Sequence, residues 1–280
     1  MRIKLKFPLN WDLKLRFFAL TPDVVVGNRW MRIVRHGDRL VPLVVRPESK
    51  EVLEFEGPEE FAERVLQYLG LHDPEELYTF MEKDEGLRIL KQYGVGRAGL
   101  MSMTVYEGFV KAVIQQQISF TVAEKITSRI VERFGGSLEA GDVKLYEFPP
   151  PETLASLPVD ALRECGLSRR KAETIIEISK TALNFDFEEL RGMGEDEVFE
   201  ILTSFKGVGR WTAELVMSMA IGMNVFPADD LGVRRAVSSL YFGGVLQSPE
   251  TVRRVAEERF GKFSRDILFY LFLHDRLKNF

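Results

Sequence analysis

The spacing of hydrophobic positions differs between the first third of the chain and the rest. Three short runs of β-prone residues come first, at 24–26, 30–34 and 40–45. Three amphipathic helices are predicted after them, at 58–70, from 73 onward and at 86–93. This order predicts a small N-terminal α+β domain with an antiparallel sheet.

From residue 104 onward, nearly every segment has helical spacing. Apolar residues recur at i, i+3 and i+4 near 104–118, 120–134, 152–156, 159–164, 169–184, 195–204, 211–223, 231–241, 249–260 and 264–277. Glycine or proline separates these segments, and such short connections are typical of a compact helical bundle. The predicted fold is mainly α, with a glycine-rich linker at 94–99 between an N-terminal α+β domain (1–95) and a helical core (96–280).

Composition is that of a soluble globular protein. Hydrophobic residues make up 45% of the 280 residues and charged residues 29%, and no apolar run approaches the ~20 residues of a membrane span. The N-terminus lacks a signal-peptide pattern. The single cysteine, Cys165, excludes an internal disulfide and a four-cysteine zinc or iron–sulfur site. We expect an intracellular monomer, cytoplasmic or nucleoid-associated, without membrane contact or an iron–sulfur cluster.

The net charge of −4 argues mildly against a nucleic-acid partner, because phosphate binding usually leaves a basic surface. The local distribution matters more, and many basic residues lie in the second half: Arg163, Arg169, Arg170, Lys171, Arg234, Arg235, Arg253 and Arg254. Backbone N–H groups also bind phosphate without any charged side chain. The overall charge lowers the expectation of DNA binding without excluding it.

The most informative segment is residues 202–214, Leu-Thr-Ser-Phe-Lys-Gly-Val-Gly-Arg-Trp-Thr-Ala-Glu. One helix ends and the next begins within a few residues, and Gly207 and Gly209 suit this turn because glycine tolerates positive φ. Val208 can anchor the turn in the core. The N–H groups that open the second helix then favour an anion such as a DNA phosphate. Taken alone, a Gly-x-Gly pattern is usually a plain turn without a ligand.

A second segment makes the pattern more specific. The loop 226–231, Phe-Pro-Ala-Asp-Asp-Leu, begins 17 positions after Gly209 and is followed by Val233 and Arg235. Together, the hairpin and this loop resemble the helix-hairpin-helix, glycine/proline-rich, aspartate (HhH-GPD) signature of DNA base-excision glycosylases. The 3-methyladenine DNA glycosylase II family is the closer match. Segments 107–116 and 162–175 resemble other parts of that family's core, and the β-prone first third fits its small sheet domain.

The resemblance implies an enzyme of base excision repair that hydrolyses the N-glycosidic bond of alkylated bases in duplex DNA after flipping them. The helix-hairpin-helix would span about 196–223 and contact the DNA backbone through Lys206, Gly207, Val208, Gly209 and Arg210. A monovalent cation bound by hairpin carbonyls is implied by the family alone. No catalytic metal is expected, because the three histidines are scattered.

Asp230 is the expected catalytic residue. Cleavage of an N-glycosidic bond builds positive charge on the sugar, and a fixed carboxylate stabilises that charge and orients a water. Asp230 also stands where an N-cap belongs, a structural role worth roughly 1 kcal/mol. The adjacent Asp229 is the alternative, but the family spacing Asp-x-x-Val-x-Arg fits Asp230.

Trp211 determines the expected reaction subtype. Bifunctional relatives carry a lysine at this position, whose amine forms a Schiff base with the sugar. Tryptophan has no such nucleophile, so we expect base removal without strand cleavage. An aromatic ring also suits a base pocket, because alkylated bases are electron-poor and often cationic.

Further pocket and DNA contacts follow from rough correspondence with the family. Phe17 or Phe18 and Phe272 would complete the base pocket, although ordinary core roles are as good an interpretation. Leu215 departs from the pattern, because the best-matched relatives have a tyrosine there. Gln117, and next to it Gln116, would fill the gap left by the flipped nucleotide, or else form a solvated helix end.

Three other functions remain open at this stage. A glycosylase of the same fold could act on oxidised or deaminated bases. A non-catalytic helix-hairpin-helix protein could bind DNA, but it would have no use for a carboxylate such as Asp230 facing the phosphates. A helical scaffold protein would leave the signature to chance.

Overall fold

A computed structural model describes residues 1–278. Five strands form one antiparallel sheet in the order β1-β5-β4-β3-β2. Their bounds are β1 (Arg2–Lys4), β2 (Val24–Val26), β3 (Arg29–His36), β4 (Arg39–Pro47) and β5 (Val52–Glu56). The three predicted strands are confirmed as β2, β3 and β4. Gly37 lies in the tight turn between β3 and β4 and has a φ of +58°. The short edge strand β1 and the strand β5 were not predicted.

Besides short 3₁₀ and π-helical turns, the described part of the chain contains fourteen α-helices and one further pair of strands. The helices of the first third are α1 (Trp11–Phe18), α2 (Ala62–Leu69), α3 (Glu75–Met81) and α4 (Glu85–Lys91). The later helices are α5 (Val105–Gln115), α6 (Phe120–Phe134), α7 (Pro151–Ser156), α8 (Val159–Glu164), α9 (Arg169–Thr181), α10 (Glu195–Ser204), α11 (Arg210–Val216), α12 (Leu231–Tyr241), α13 (Pro249–Val255) and α14 (Ser264–Lys278).

The predicted fold class, a helical core with a small N-terminal antiparallel sheet domain, is confirmed. The helices predicted near 211–223 and 249–260 each divide into an α-helix and one π-helical turn, at Met217–Ile221 and at Ala256–Phe260. The strands β6 (Ser137–Ala140) and β7 (Val143–Tyr146), which pair as a hairpin, were missed. They cover one face of the main sheet, where Met31, Ile33 and Leu145 form a separate small core.

The helices α3 and α4 pack with the helical core. Leu77, Met81, Leu87 and Leu90 are buried in the same hydrophobic cluster as α5 and α14. The sheet has its own cluster with α1 and α2, around Trp30. The domain boundary at 95/96 stays a prediction, and residues 279–280 of the predicted core lie outside the described residues.

A buried group of charges joins the sheet to the helical core. Arg32 on β3 pairs with Glu107 on α5 and, at 3.0 Å, with Asp23. Lys111 approaches the other oxygen of Glu107 at 2.7 Å. These side chains are almost fully buried, so each charge depends on its partners for the solvation it has lost. The network therefore fixes β3 against α5, the helix that leads to the site described next.

Among residues 1–278, no helix has the length and apolarity that a membrane span requires.

Candidate active site

The hairpin between α10 and α11 turns the chain over residues 205–209. Val208 is 7% exposed and belongs to the main core, as expected for an anchor. Gly207 has a φ of +95°, and a Cβ there would lie 2.7 Å from the hydroxyl of Thr174, so both conformation and space require glycine. Gly209 has a φ of −109°, so the expected need for positive φ holds for Gly207 alone.

Gly209 instead leaves an open surface. A Cβ at this position would meet no atom within 4 Å, and Lys206, Gly209 and Arg210 are all exposed. Gly209 directly precedes α11, whose first N–H groups have no partners within the helix. The backbone at this point is therefore accessible to an anion.

Two neighbouring helices hold the hairpin from behind. The Thr174 hydroxyl on α9 donates to the carbonyl of Lys206 at 2.8 Å. The Gln116 side-chain amide, at the end of α5, donates to the carbonyl of Gly207 at 3.1 Å and to the Thr212 hydroxyl at 2.9 Å. Gln116 thus supports the hairpin, and its side chain is not directed into solvent.

These contacts bear on the implied monovalent cation. The carbonyls of Lys206 and Gly207 each accept one side-chain hydrogen bond, which leaves one lone pair on each oxygen. Within the described residues, no group of three or more His, Cys, Asp or Glu side chains is placed to hold a metal ion. A cation stays a prediction from the resemblance, and no chemical step below depends on it.

Gln117 lies at the exposed tip of the loop between α5 and α6. Its φ is +56°, and among the described residues it is the only non-glycine at positive φ. The Lys171 amine fixes the backbone just before it by donating to the carbonyls of Ile114 at 2.8 Å and Gln116 at 2.5 Å. Burial lowers the pKa of Lys171, whose side chain supports this loop instead of facing solvent. Such backbone strain often accompanies function.

Asp230 is the N-cap of α12, as the alternative interpretation expected, and it also contacts Trp211. Its Oδ1 accepts the Val233 N–H at 3.0 Å, while its Oδ2 accepts the Trp211 indole Nε1–H at 3.1 Å. Asp230 and Trp211 are both half-buried. Asp229 is more exposed and pairs with Arg253 at 3.4 Å, away from the indole. The structure therefore brings together the two residues that the sequence pattern selected.

The predicted pocket phenylalanines have different surroundings. Phe18 is half-buried and stacks on Phe269 of α14, with ring centroids 3.6 Å apart. Phe17 is 5% exposed and lies in the main core, so of the two only Phe18 presents a partly open ring. Phe272, three residues after Phe269, is half-buried at the edge of the same core.

The last turns of α14 carry two residues that sequence reasoning missed. Arg276 lies over the ring of Phe120, 3.6 Å from its centroid, and donates to the carbonyl of Phe17 at 2.7 Å. Burial lowers its pKa to about 10. Asp275 lies close to the first turn of α12, near Gly232. A Cβ built on Gly232 would lie 3.4 Å from Asp275 Oδ2 and 3.2 Å from Asp230 Oδ1.

A sequence signal for these residues existed. Once Phe272 is selected, the residues three and four positions later share its side of the helix, and these are Asp275 and Arg276.

Leu215, which departs from the family pattern, is 3% exposed and packs in the core. Trp211 and Asp230 thus meet at the start of α12, next to which α14 places Asp275. The same helix contacts Phe18 of α1 and Phe120 of α6 through Phe269 and Arg276.

A helix-hairpin-helix followed by a capping aspartate defines a class of DNA repair proteins, and comparison with known families agrees. Residues 110–262 match the HhH-GPD superfamily of base excision DNA repair proteins, and this chain belongs to it. Residues 1–73 match the AfAlkA-like, TATA-box binding protein-like domain.

Individual relatives point in the same direction. A 3-methyladenine DNA-glycosylase from Archaeoglobus fulgidus is 56% identical, with a TM-score of 0.93 over 99% of both chains. A DNA-3-methyladenine glycosylase of Saccharomyces cerevisiae is 27% identical over 82% of this chain and 79% of its own length. An alkylbase DNA glycosidase-like protein of Schizosaccharomyces pombe is 31% identical over 52% of this chain. The match spans about two thirds of the length of this last relative, 66%.

Proposed function

We propose that this chain is a monofunctional DNA glycosylase that removes alkylated bases of the 3-methyladenine type from duplex DNA. The observation that carries this proposal is the hydrogen bond from Trp211 to Asp230 beside the exposed hairpin. It joins a carboxylate suited to glycosidic cleavage with an aromatic ring suited to base stacking. The names of the relatives, one of them 56% identical over 99% of both chains, support the substrate class.

DNA binding would begin at the hairpin. The exposed backbone at Gly209 and the N-terminus of α11 favour a phosphate, and the side chains of Lys206 and Arg210 lie on the same exposed turn. Contacts of this kind position the protein without reading sequence. Gln117 would then occupy the space vacated by the damaged nucleotide as it turns out of the duplex.

The flipped base would stack on the Trp211 indole, with the rings of Phe18 and Phe272 at the edge of the pocket. A cationic alkylated base gains from such π-faces, because their quadrupole attracts positive charge. An alkylated base is also a good leaving group, so the enzyme has less need of a general acid at the base. This combination favours alkylated bases over neutral ones.

Asp230 would act on the sugar. As the glycosidic bond breaks, its electron pair leaves with the base and positive charge develops on the sugar, where the carboxylate stabilises it. Asp230 also orients a water, whose oxygen bonds to the sugar carbon and whose proton passes to the carboxylate. The indole has no nucleophilic amine, so no Schiff base forms and the strand remains intact.

The test is a set of duplexes that each carry one 3-methyladenine, 7-methylguanine, 1-methyladenine, hypoxanthine or 8-oxoguanine. After incubation, each sample is analysed with and without alkali, and a parallel sample receives borohydride to trap any Schiff base. We expect breaks only after alkali, for alkylated bases, with no trapped complex. Breaks without alkali would contradict the monofunctional assignment, and excision confined to 8-oxoguanine or hypoxanthine would contradict the substrate class. DNA binding without excision of any base would favour a non-catalytic binding protein.

A further inference from the structure

Arg253, on α13, connects this helix with α11 and with the loop 226–230 that carries Asp230. Its Nη1 donates to Glu214 Oε1 at 3.0 Å and to the carbonyl of Phe226 at 3.4 Å. Its Nη2 reaches Asp229 Oδ2 at 3.4 Å. Phe226 and Asp229 lie in the loop that ends at Asp230, so one guanidinium contacts both ends of this loop.

The anchor of this arrangement is Glu214. Its side chain is only 4% exposed, and its other ion pair, at 3.3 Å, is with the exposed hairpin residue Arg210. A carboxylate this deeply buried is costly unless cations solvate it, which makes its pairing with Arg253 strong. Glu214 lies three residues after Trp211 on α11, so Arg253 connects the loop to the helix that carries the indole.

Other interactions hold different parts of the loop: the Trp211 indole bonds to Asp230, and Phe226 and Ala228 are buried in the core. The bond from Asp230 to the Val233 N–H holds the aspartate on α12, and the turn bond from the Asp230 N–H to the Pro227 carbonyl, 3.1 Å, is local. The ring of Phe226 packs on Phe260, but the side chain of Asp229 is 38% exposed. A cavity of about 580 Å³, partly lined by Phe226, Glu214 and Arg253, lies behind the loop, so close packing does not fill this side.

We propose that Arg253 is a positioning residue for Asp230, holding the loop 226–230 against α11 so that the carboxylate keeps its geometry with Trp211. The effect on catalysis rests on the proposed function, whereas the effect on loop geometry does not. The hydrogen bonds of Arg253 go to Glu214, Asp229 and the Phe226 carbonyl, so it acts through these groups and not by a bond to the indole or to the Asp230 carboxylate.

The experiment compares Arg253→Lys and Arg253→Met with the matched control Arg254→Met in the full chain. Arg254 is the next residue on the same helix and is exposed. Lysine keeps a cation beside Glu214 and preserves the fold, but a single amine cannot reach all three acceptors at once. For each variant we would measure single-turnover excision, affinity for an abasic-site duplex, melting temperature and the NMR resonance of the Trp211 indole N–H, assigned with Trp211→Phe.

We expect Arg253→Lys to keep the melting temperature and DNA affinity of the wild type, while excision slows about tenfold or more and the Trp211 resonance moves. Arg253→Met should move the Trp211 resonance further. Arg254→Met should change neither the excision rate nor the Trp211 resonance. An unmoved Trp211 resonance in both Arg253 variants overturns the proposal whatever the rate. A moved resonance with wild-type excision overturns the positioning role in catalysis. If the wild type excises no base at all, the proposed function fails, and the resonance alone still decides whether Arg253 holds the loop.

Discussion

The indole Nε1–H of Trp211 donates a hydrogen bond to Oδ2 of Asp230, with the two atoms 3.1 Å apart. The other oxygen of the same carboxylate is used by the N-cap bond to Val233. The carboxylate is therefore fixed by donors from two helices, α11 and α12. A carboxylate held in this way needs little reorganisation when positive charge develops beside it. Such preorganisation of charged groups is the main source of electrostatic catalysis.

The first prediction concerns this bond. Trp211→Phe retains a ring for stacking but removes the donor to Asp230, so excision should slow by about tenfold, as expected for the loss of one hydrogen bond to a charged group. Affinity for lesion-containing DNA should change far less. Single-turnover rates and fluorescence anisotropy would measure the two effects.

Trp11→Phe is the matched control. The Trp11 indole donates to the Asn28 carbonyl at 2.7 Å within the sheet domain, far along the chain from Asp230. This variant should lose some stability and keep the wild-type rate. Equal rate losses in the two variants would show that the Trp211 effect comes from a general loss of stability.

The second prediction separates the two hairpin glycines. The methyl group that Gly209→Ala adds would meet no neighbouring atom. The free energy of unfolding of this variant should therefore fall by at most about 1 kcal/mol, the order of an N-cap change. The added methyl group stands where the phosphate would approach, and binding to damaged and undamaged duplexes should weaken alike. Gly207→Ala should instead destabilise the protein, because of its φ of +95° and the contact with Thr174. Urea unfolding and anisotropy titrations check both variants, and an unchanged DNA affinity for Gly209→Ala would contradict the phosphate site.

The third prediction tests Gln117 as the residue that fills the duplex. Gln117→Gly removes both the side chain and the cost of its positive φ, so stability should stay equal or rise by up to about 1 kcal/mol. Excision from a fully paired duplex should slow, and a mismatched lesion, which is cheaper to unstack, should be affected less. Thermal melting and excision on paired and mismatched duplexes would be compared.

Gln116→Ala serves as the comparison for the same loop. Its amide bonds to Gly207 and Thr212, so this variant should weaken binding to every duplex through the hairpin. If Gln116→Ala shows the mismatch-dependent loss and Gln117→Gly does not, the filling role belongs to Gln116.

Much of this architecture could be predicted because its signals are local. Helical spacing located the later helices, and a short turn with Val208 between two glycines identified the hairpin. Val208 was expected in the core and is 7% exposed. Asp230 was expected both as an N-cap and as the catalytic residue, and the structure shows the cap while the catalytic role stays a prediction.

The missed features depend on contacts between distant segments. The strand β5 is an exception, because Leu53 and Phe55 alternate with glutamates in an ordinary strand pattern that was overlooked. The hairpin β6–β7 is stabilised by packing on the main sheet. Arg276 gains its place from Phe120 and the Phe17 carbonyl, which are far from it in sequence. The support of the Gly207 carbonyl by Gln116 is likewise visible only in three dimensions.

The fourth prediction is a pH dependence of stability that arises from Lys14. This side chain is fully buried, donates to the carbonyls of Val95 and Arg97, and lies 4.7 Å from the ring centroid of Phe269. Burial lowers its pKa to about 7, with Asp266 opposing and Arg265 adding to the shift. Between pH 7 and the ordinary lysine pKa, 10.5, the unfolded chain binds more protons than the folded one, so the stability contributed by Lys14 rises with pH in this window.

The difference in unfolding free energy between wild type and Lys14→Met isolates this effect from other titrating groups. It should shift in favour of the wild type by up to about 1.4 kcal/mol per pH unit between pH 7 and 10, and stay level below pH 7. Urea unfolding at each pH measures it. A difference that is constant from pH 7 to 10 would mean that Lys14 stays charged in the folded protein.

The central claim, that Asp230 performs the chemistry, is tested most directly by Asp230→Asn. Asparagine caps a helix about as well as aspartate, so the bond to Val233 and the stability should be preserved while the negative charge is lost. With a 3-methyladenine duplex under single-turnover conditions, we expect the excision rate to fall by about a hundredfold or more, whereas Asp229→Asn slows it far less. Wild-type excision by a stable Asp230→Asn protein, or a larger loss in Asp229→Asn, would contradict the account.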